Sequence, residues 1–444
     1  MIDCIRQRVT LTIANLPMHK YVNCHIQTDR KIKMNKISKW HVLIGCFIAY
    51  FFDAIEIVML SLSLPVIRQD MDLNINQGGL LATATLLGIG VSSVIAGWYA
   101  DTFGRRKAML TCLLLFGSLT AILSSIENLY VFMGLRFLSG LGLGGLWGIV
   151  AVYIAESWPS HQRARATSLA ISAFAIGAIA ASLAAKYMLP EWRTMFVYAG
   201  GMVVIPVLYI YFWVPETPAW KAAKAQNLSL KKSATITEIF SPALIKSTLL
   251  GTTAASFALL GYWGANTWLP TYLVQERGLS LSSMATFMAI LNIGNFIGLN
   301  FFGYLADIIG KRKVIIISLV CTTVMLPVYI YASQANTLLW LGALYAFFIA
   351  FAGLFGAYFS ELYPTHVRTL GAGFCFNAGR GLAALAPLLL SGIATYYSLA
   401  AGLMVCAGFF FVSACVIWFM PEKPKLVTQD IILEPVSANR QEAT

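Results

Sequence analysis

Twelve apolar runs, each long enough to cross a lipid bilayer, constrain this chain more than anything else in it. A helix crossing about 30 Å of hydrocarbon needs around 20 mostly apolar residues. Such runs fall at 40–66, 77–99, 108–125, 129–155, 167–187, 192–214, 245–274, 281–303, 314–331, 336–360, 367–391 and 394–420. The 444 residues are 58% hydrophobic and only 11% charged, against about half apolar and a quarter charged in an ordinary globular domain. The bilayer is therefore the main solvent, and the expected fold class is an all-α membrane protein of twelve transmembrane helices.

The formal charge of +12 does not point to nucleic acid, because the basic residues are not gathered on one soluble face. They follow topology instead. With both termini in the cytoplasm, 25 of the 31 Lys and Arg lie in inner segments and four, Arg68, Lys186, Arg193 and Arg277, in outer loops. That bias sets the orientation. Arg136 and Arg380 fall within spans. The eight cysteines form no CxxC pair and read as buried thiols without metal or disulfide.

Residues 1–39 form a polar, basic extension, expected to be disordered and cytoplasmic and lacking the apolar core of a signal peptide. Met34-Asn-Lys offers a second translation start. A lysine-bearing segment, 215–244, divides a first bundle (40–214) from a second (245–420), and 421–444 is a cytoplasmic tail. Across the linker, Gly97-Trp-Tyr-Ala-Asp101-Thr-Phe-Gly104-Arg105-Arg106-Lys107 recurs as Gly303-Tyr-Leu-Ala-Asp307-Ile-Ile-Gly310-Lys311-Arg312-Lys313, an offset of 206 (303 minus 97). Glu156-Ser-Trp-Pro159-Ser-His161-Gln-Arg163 recurs as Glu361-Leu-Tyr-Pro364-Thr-His366-Val-Arg368 at 205 (361 minus 156). Two motifs at nearly one offset indicate an internal repeat of six spans.

These loops resemble the signatures of the major facilitator superfamily, over nearly the whole chain after residue 38. Arg136-Phe-Leu-Ser-Gly-Leu-Gly-Leu-Gly-Gly-Leu-Trp147, Pro215-Glu-Thr-Pro-Ala-Trp220 and Gly261-Tyr-Trp-Gly-Ala-Asn266-Thr-Trp-Leu-Pro-Thr-Tyr272 are similar to segments of its proton-coupled organic-acid branch. So are Phe52-Asp53-Ala-Ile-Glu56 and Phe376-Asn377-Ala-Gly-Arg380. The resemblance implies a major facilitator fold with two six-helix halves, and symport of aromatic acids, sialic acid or short monocarboxylates. It also implies a switch in which protonation of an acid on the first helix frees the arginine of the fourth, and a clamp by Asp101 of helix two against helix eleven. Leu146 and Ile171 depart from the branch by removing polar groups, which implies a more apolar pocket.

Ionised side chains at mid-bilayer are costly and either pair or line a cavity. Asp53 and Glu56 share one helix face, and desolvation with mutual repulsion favours taking up a proton. They are candidates for proton coupling with Arg136, or else structural partners of it. Arg380 carries a planar fork suited to a carboxylate, so it is either the substrate's anion site or a cation neutralised within the fold. Tyr262, Trp263, Asn266, Asn292 and Asn377 are candidate pocket lining, or simply helix packing. At the offset of 206 the counterparts of Glu56, Arg136 and Arg380 are Tyr262, Gly342 and Phe174, so the charges break the symmetry of the halves.

The repeated loops read as gates: Gly97, Asp101, Gly104, Arg105, Arg106, Glu156 and Arg163 in the first half, and Gly303, Asp307, Gly310, Arg312, Glu361 and Arg368 in the second. Gly97 is expected to permit close helix approach, and Asp101 to accept backbone donors at a helix start or pair with an arginine. No nucleotide or hydrolase motif occurs, so the chain is read as a transporter and not an enzyme, needing no cofactor. The expectation is a monomer in the bacterial inner membrane that moves a small organic anion with protons, embedded in lipid. The alternatives are efflux of an amphipathic compound and a transporter-like sensor that moves nothing.

Overall fold

The computed structural model describes residues 36–225, 236–364 and 367–421. The extension up to residue 35, the linker stretch 226–235 and the tail from 422 lie outside the described residues, and with them most of what was expected of those segments. The described chain is helical, with α1 (Lys36–Asp70), α2 (Ile75–Phe103), α3 (Arg105–Leu123), α4 (Leu129–Ser157), α5 (Ser160–Met188), α6 (Trp192–Met202) and α7 (Val204–Trp213) forming the first half. After α8 (Pro218–Ala225) and a 3-10 turn (Ile236–Phe240) come α9 (Ile245–Gln275), α10 (Leu281–Ile309), α11 (Lys311–Ile330), α12 (Ala335–Phe348), α13 (Phe351–Glu361), α14 (Arg368–Ala383), α15 (Ala386–Tyr396) and α16 (Leu399–Trp418).

Among the described residues, ten stretches are long and apolar enough to span a membrane, and α2 makes an eleventh when its segments Ile75–Ser92 and Ile95–Phe103 count as one. The twelfth expected span is α9. Its 31 residues reach about 46 Å, but it carries Thr248, Ser256, Thr267, Thr271 and Tyr272 at buried positions. A helix surrounded by protein does not need the apolarity that lipid demands.

Three further expected spans are broken, each for a local reason. Between α6 and α7 the chain breaks at Val203 just before Pro206, which has no amide to donate. Between α12 and α13 the freed backbone groups are taken up by side chains: Asn295 Nδ2 donates to the carbonyls of Ala346 and Ile349 at 3.2 and 3.1 Å. There Ser318 Oγ accepts the amides of Ala350 and Phe351 at 3.3 and 3.1 Å. Between α14 and α15 the break precedes Pro387.

The halves meet along α1 with α9, α2 with α14 and α15, and α5 with α10. At the end opposite the repeated loops they are tied by Arg68 to Gln275 (3.2 Å) and Thr395 to Asn76 (3.2 Å). Within the first half, α2 and α4 pack backbone to backbone: a Cβ on Gly140 would stand 2.3 Å from the Thr85 carbonyl oxygen, and one on Gly88 2.1 Å from that of Phe137. The glycine run after Arg136 thus fixes the depth and rotation of α4, and so the place of Arg136.

Candidate functional site

The long apolar run of α1 carries three polar side chains at mid-length, Tyr50, Asp53 and Glu56, three residues apart and therefore on neighbouring faces. Asp53 and Glu56 are both buried, and Asp53 Oδ1 and both Glu56 carboxylate oxygens have no hydrogen-bond partner among the described residues. The two acids face different surroundings. Glu56 has Thr120 of α3 and Arg136 of α4 as its electrostatic neighbours, and the Thr120 hydroxyl lies against the carboxylate without closing a hydrogen bond. Asp53 faces Arg380 of α14, across the boundary between the halves, as well as Glu56.

Arg136 is fully buried, and none of its three guanidinium nitrogens has a hydrogen-bond partner among the described residues. Its guanidinium sits 4.9 Å from the ring centroid of Phe196 and 6.0 Å from that of Phe132. Aromatic faces offer a desolvated cation modest attraction. Arg136 and Glu56 are electrostatic neighbours and do not form a closed salt bridge among the described residues.

Arg380 has Tyr50 and Asp53 of α1 and Tyr262 of α9 around it. Tyr262 meets Trp263 edge-on at 5.2 Å. Asn266, one turn further along, donates to the Tyr262 carbonyl at 2.9 Å, which leaves its side-chain oxygen as an acceptor. Asn377 lies one turn before Arg380 on α14. Asn292, on α10, donates to Met288 of its own helix at 2.8 Å, and no described contact joins it to the others. The structure thus makes Tyr50, Asp53, Tyr262 and Arg380 electrostatic neighbours, with Trp263 packed on Tyr262.

Three contributors were missed in the sequence. Tyr50 and Thr120 lie among the four charges, and Tyr50, three residues before Asp53, was open to discovery by helical spacing. Trp147 of α4 stacks on Phe376 of α14 at 5.6 Å and 20°, an aromatic bridge between the halves on the repeated-loop side of the charges. Among the described residues no cluster of side chains suits a metal ion.

At the repeated loops, Gly104 and Gly310 have φ of 105° and 96°, the region that favours glycine, and each turns the chain directly into the next helix. Arg105 is held by Asp101 at 2.8 Å and Glu156 at 3.0 Å, and the corresponding Lys311 by Glu361. Arg106 donates to the carbonyls of Ile210 and Tyr211, and Arg312 to those of Ile417 and Trp418. The backbone donors at the start of α3 go to Glu216, not to Asp101, because Asp101 is engaged by Arg105 one turn on. Gly97 and Gly303 have no heavy atom within 4 Å of a built Cβ, so close helix approach is not their role in this conformation. Asp307 is exposed, Arg368 Nε reaches the Tyr363 carbonyl at 3.5 Å, and the side chain of Arg163 lies outside the described residues.

The family model of the Major Facilitator Superfamily matches residues 46–356 and 288–437. The chain belongs to the Major Facilitator Superfamily. This facilitator is 29% identical over 373 residues to the cis,cis-muconate transport protein of Acinetobacter baylyi, covering 82% of this chain and 90% of that one. It is 27% identical over 373 residues to the sialic acid transporter NanX of Escherichia coli, covering 82% and 89%. Its fold matches a bacterial homologue of the human lysosomal transporter Spinster, solved inward-facing and unoccupied, with a TM-score of 0.71 at 14% identity over 87% of this chain and 97% of that one. The facilitator is a multi-pass membrane transporter of the major facilitator fold and not an enzyme.

Proposed function

We propose that this facilitator carries a small organic anion into the cell together with protons, by alternating access of its two halves. The observation that carries the reading is the group of four charges, Asp53, Glu56 and Arg136 buried and Arg380 half-buried, in which each acid of α1 has a different arginine as its electrostatic neighbour, Glu56 the Arg136 of its own half and Asp53 the Arg380 of the other. An acid that gains a proton releases its arginine, and a ligand carboxylate that binds Arg380 competes with Asp53 for the same cation. The muconate and sialic acid transport proteins among its relatives are named for organic acids, which supports the substrate class.

In this reading Asp53, Glu56 and Arg136 handle the proton. Arg380, Asn377, Asn266, Asn292, Tyr262 and Trp263 receive the anion. Bundles 40–214 and 245–420 rock about the linker 215–244, with the repeated loops as the cytoplasmic gate. Both termini are cytoplasmic, the membrane is the bacterial inner membrane, and the unit is a monomer that needs no cofactor and binds no nucleic acid.

Vesicle transport tests it. Uptake of the substrate found by screening organic acids for thermal stabilisation of the purified protein should make the outside medium more alkaline, and Glu56→Gln should abolish that proton movement. Wild-type, proton-independent uptake by Glu56→Gln would sink the coupling. For Arg380, Arg380→Lys should weaken carboxylates strongly and their amide analogues little, whereas equal losses mean a structural arginine.

A further inference from the structure

Arg68, Lys186, Arg193 and Arg277 stand at the end of the fold opposite the repeated loops, and the last three are engaged by their own halves. Arg193 pairs with Asp70 at 3.1 Å and donates to the Ser124 carbonyl at 2.8 Å. Arg277 donates to the carbonyls of Ala332 and Ser333, and Lys186 lies 5.8 Å from the ring centroid of Tyr187. Arg68 reaches across to the other half instead. Among the described residues it takes part in no ion pair: Nη1 donates to the neutral amide of Gln275 at 3.2 Å, and its buried Nε has no hydrogen-bond partner.

Packing holds this side chain in one place. A Cβ on Gly78 of α2 would stand 2.7 Å from its Cδ, so the stem runs against bare backbone. Its guanidinium lies 5.9 Å from the ring centroid of Trp268, and that indole is anchored to the Pro387 carbonyl at 2.9 Å. Beside it, between the halves, is a cavity of about 490 Å³. Arg68, Gln69 and Gln275 supply its donors, and Val66 and Leu281 belong to its apolar walls. The two glutamines are counterparts in the repeat (275 minus 69 is 206), whereas the counterpart of Arg68 is Val274. The cavity therefore carries one guanidinium. Asp72 lines it as well, but at an exposed position, where salt screens its repulsion.

We propose that this cavity is a second binding site, which holds a small carboxylate on Arg68 with the amides of Gln69 and Gln275 beside it. It is remote from the group of four charges, since Arg68 lies 15 residues (68 minus 53) beyond Asp53 on α1, about 22 Å along the helix. The volume suits a small molecule. A planar guanidinium already held by packing matches a carboxylate and loses little freedom in binding it. The carboxylate competes with Gln275 as a charged acceptor against a neutral one, so its arrival undoes a tie between the halves. That the site is a first stop for the transported anion rests on the function proposed above.

Alkylation of Gln69→Cys by iodoacetamide in the purified full-length protein, measured above the wild-type background, reads the site at an exposed position. Benzoate should slow the reaction, and benzamide, of the same shape without the charge, should not. Adding Arg68→Gln should raise the benzoate concentration for half protection about tenfold or more, the factor expected of a charged hydrogen bond. Gln275→Glu, which keeps the tie and places a carboxylate on Arg68, should do the same in a protein whose halves stay joined. Arg380→Gln should leave the protection in place. Protection that disappears with Arg380→Gln, that survives both Arg68→Gln and Gln275→Glu, or that benzamide gives equally overturns the proposal, as does no protection by benzoate. The readout needs neither uptake nor protons: lost proton coupling with protection intact rejects the symport and not this site, and the converse rejects this site alone.

Discussion

The carboxylate of Glu216 caps the helix that begins at Arg105, accepting that residue's amide at 3.0 Å from more than a hundred positions along the chain. A second oxygen takes the next amide, of Arg106. The cap ties the segment after the sixth span to the loop between the second and third, so it joins local helix stability to the shape of the gate.

Removing the acceptor should therefore cost about 1–2 kcal/mol, as losing a helix cap does. Glu216→Gln keeps an oxygen and loses the charge, so it should fall between wild type and Glu216→Ala. Thermal melting of the three purified proteins checks the order. An alanine variant that melts with wild type would show that the cap contributes nothing.

Among the acids of the gate, burial and partners set a second order. Glu156 holds both Arg105 and Thr217 with its side chain 21% exposed, whereas Asp101 holds Arg105 with 49% exposed. Exposed pairs contribute about 0–1 kcal/mol, so Asp101→Asn should destabilise slightly and Glu156→Gln more. Asp307→Asn, at an exposed position with no ion pair among the described residues, should leave stability unchanged. Melting curves with counterflow rates for the three variants test the ranking, and a loss at Asp307 equal to that at Glu156 contradicts it.

Lipid made much of this fold legible. A spanning segment must be apolar and helical, so the twelve runs appeared with their edges displaced by only a few residues, as where α1 starts at Lys36 and not at 40. The edges slipped because helices continue past the hydrocarbon on polar turns. The repeat placed the two gates in register. Pairings were less legible: Asp53 and Arg380 stand far apart in the chain, and only packing of α1 beside the second half makes them neighbours. The break at Ile349 depends on Asn295 and Ser318 from two other helices, which no local pattern announces. Gly97 was over-read, because a glycine in a repeated motif suggests close packing whether or not a helix arrives there.

Close backbone packing yields a sharper test at Gly140. Its Cβ would meet the Thr85 carbonyl oxygen at 2.3 Å, and backbone on both sides leaves nothing to yield, so even Gly140→Ala must push α2 from α4. Overpacking of this kind costs about 1–3 kcal/mol. Gly148→Ala, on the same helix with open space around it, should be tolerated. Folded yield by fluorescence-detected gel filtration compares them, and equal yields would mean the helices separate freely.

Arg136 and Glu56 allow the last test, because each is fully buried and each feels the opposite charge of the other. Taking away one member of such a pair strands the other in a medium that solvates it poorly, at a cost of about 3–5 kcal/mol, while replacing both is often close to neutral. Arg136→Gln strands an acid that protonation can neutralise; Glu56→Gln strands a guanidinium that stays charged and has only the Phe196 and Phe132 rings for company. Glu56→Gln should therefore lower the melting temperature more than Arg136→Gln, and the double variant should recover most of the loss. Additive losses in the double variant would show that the two charges do not act as a pair.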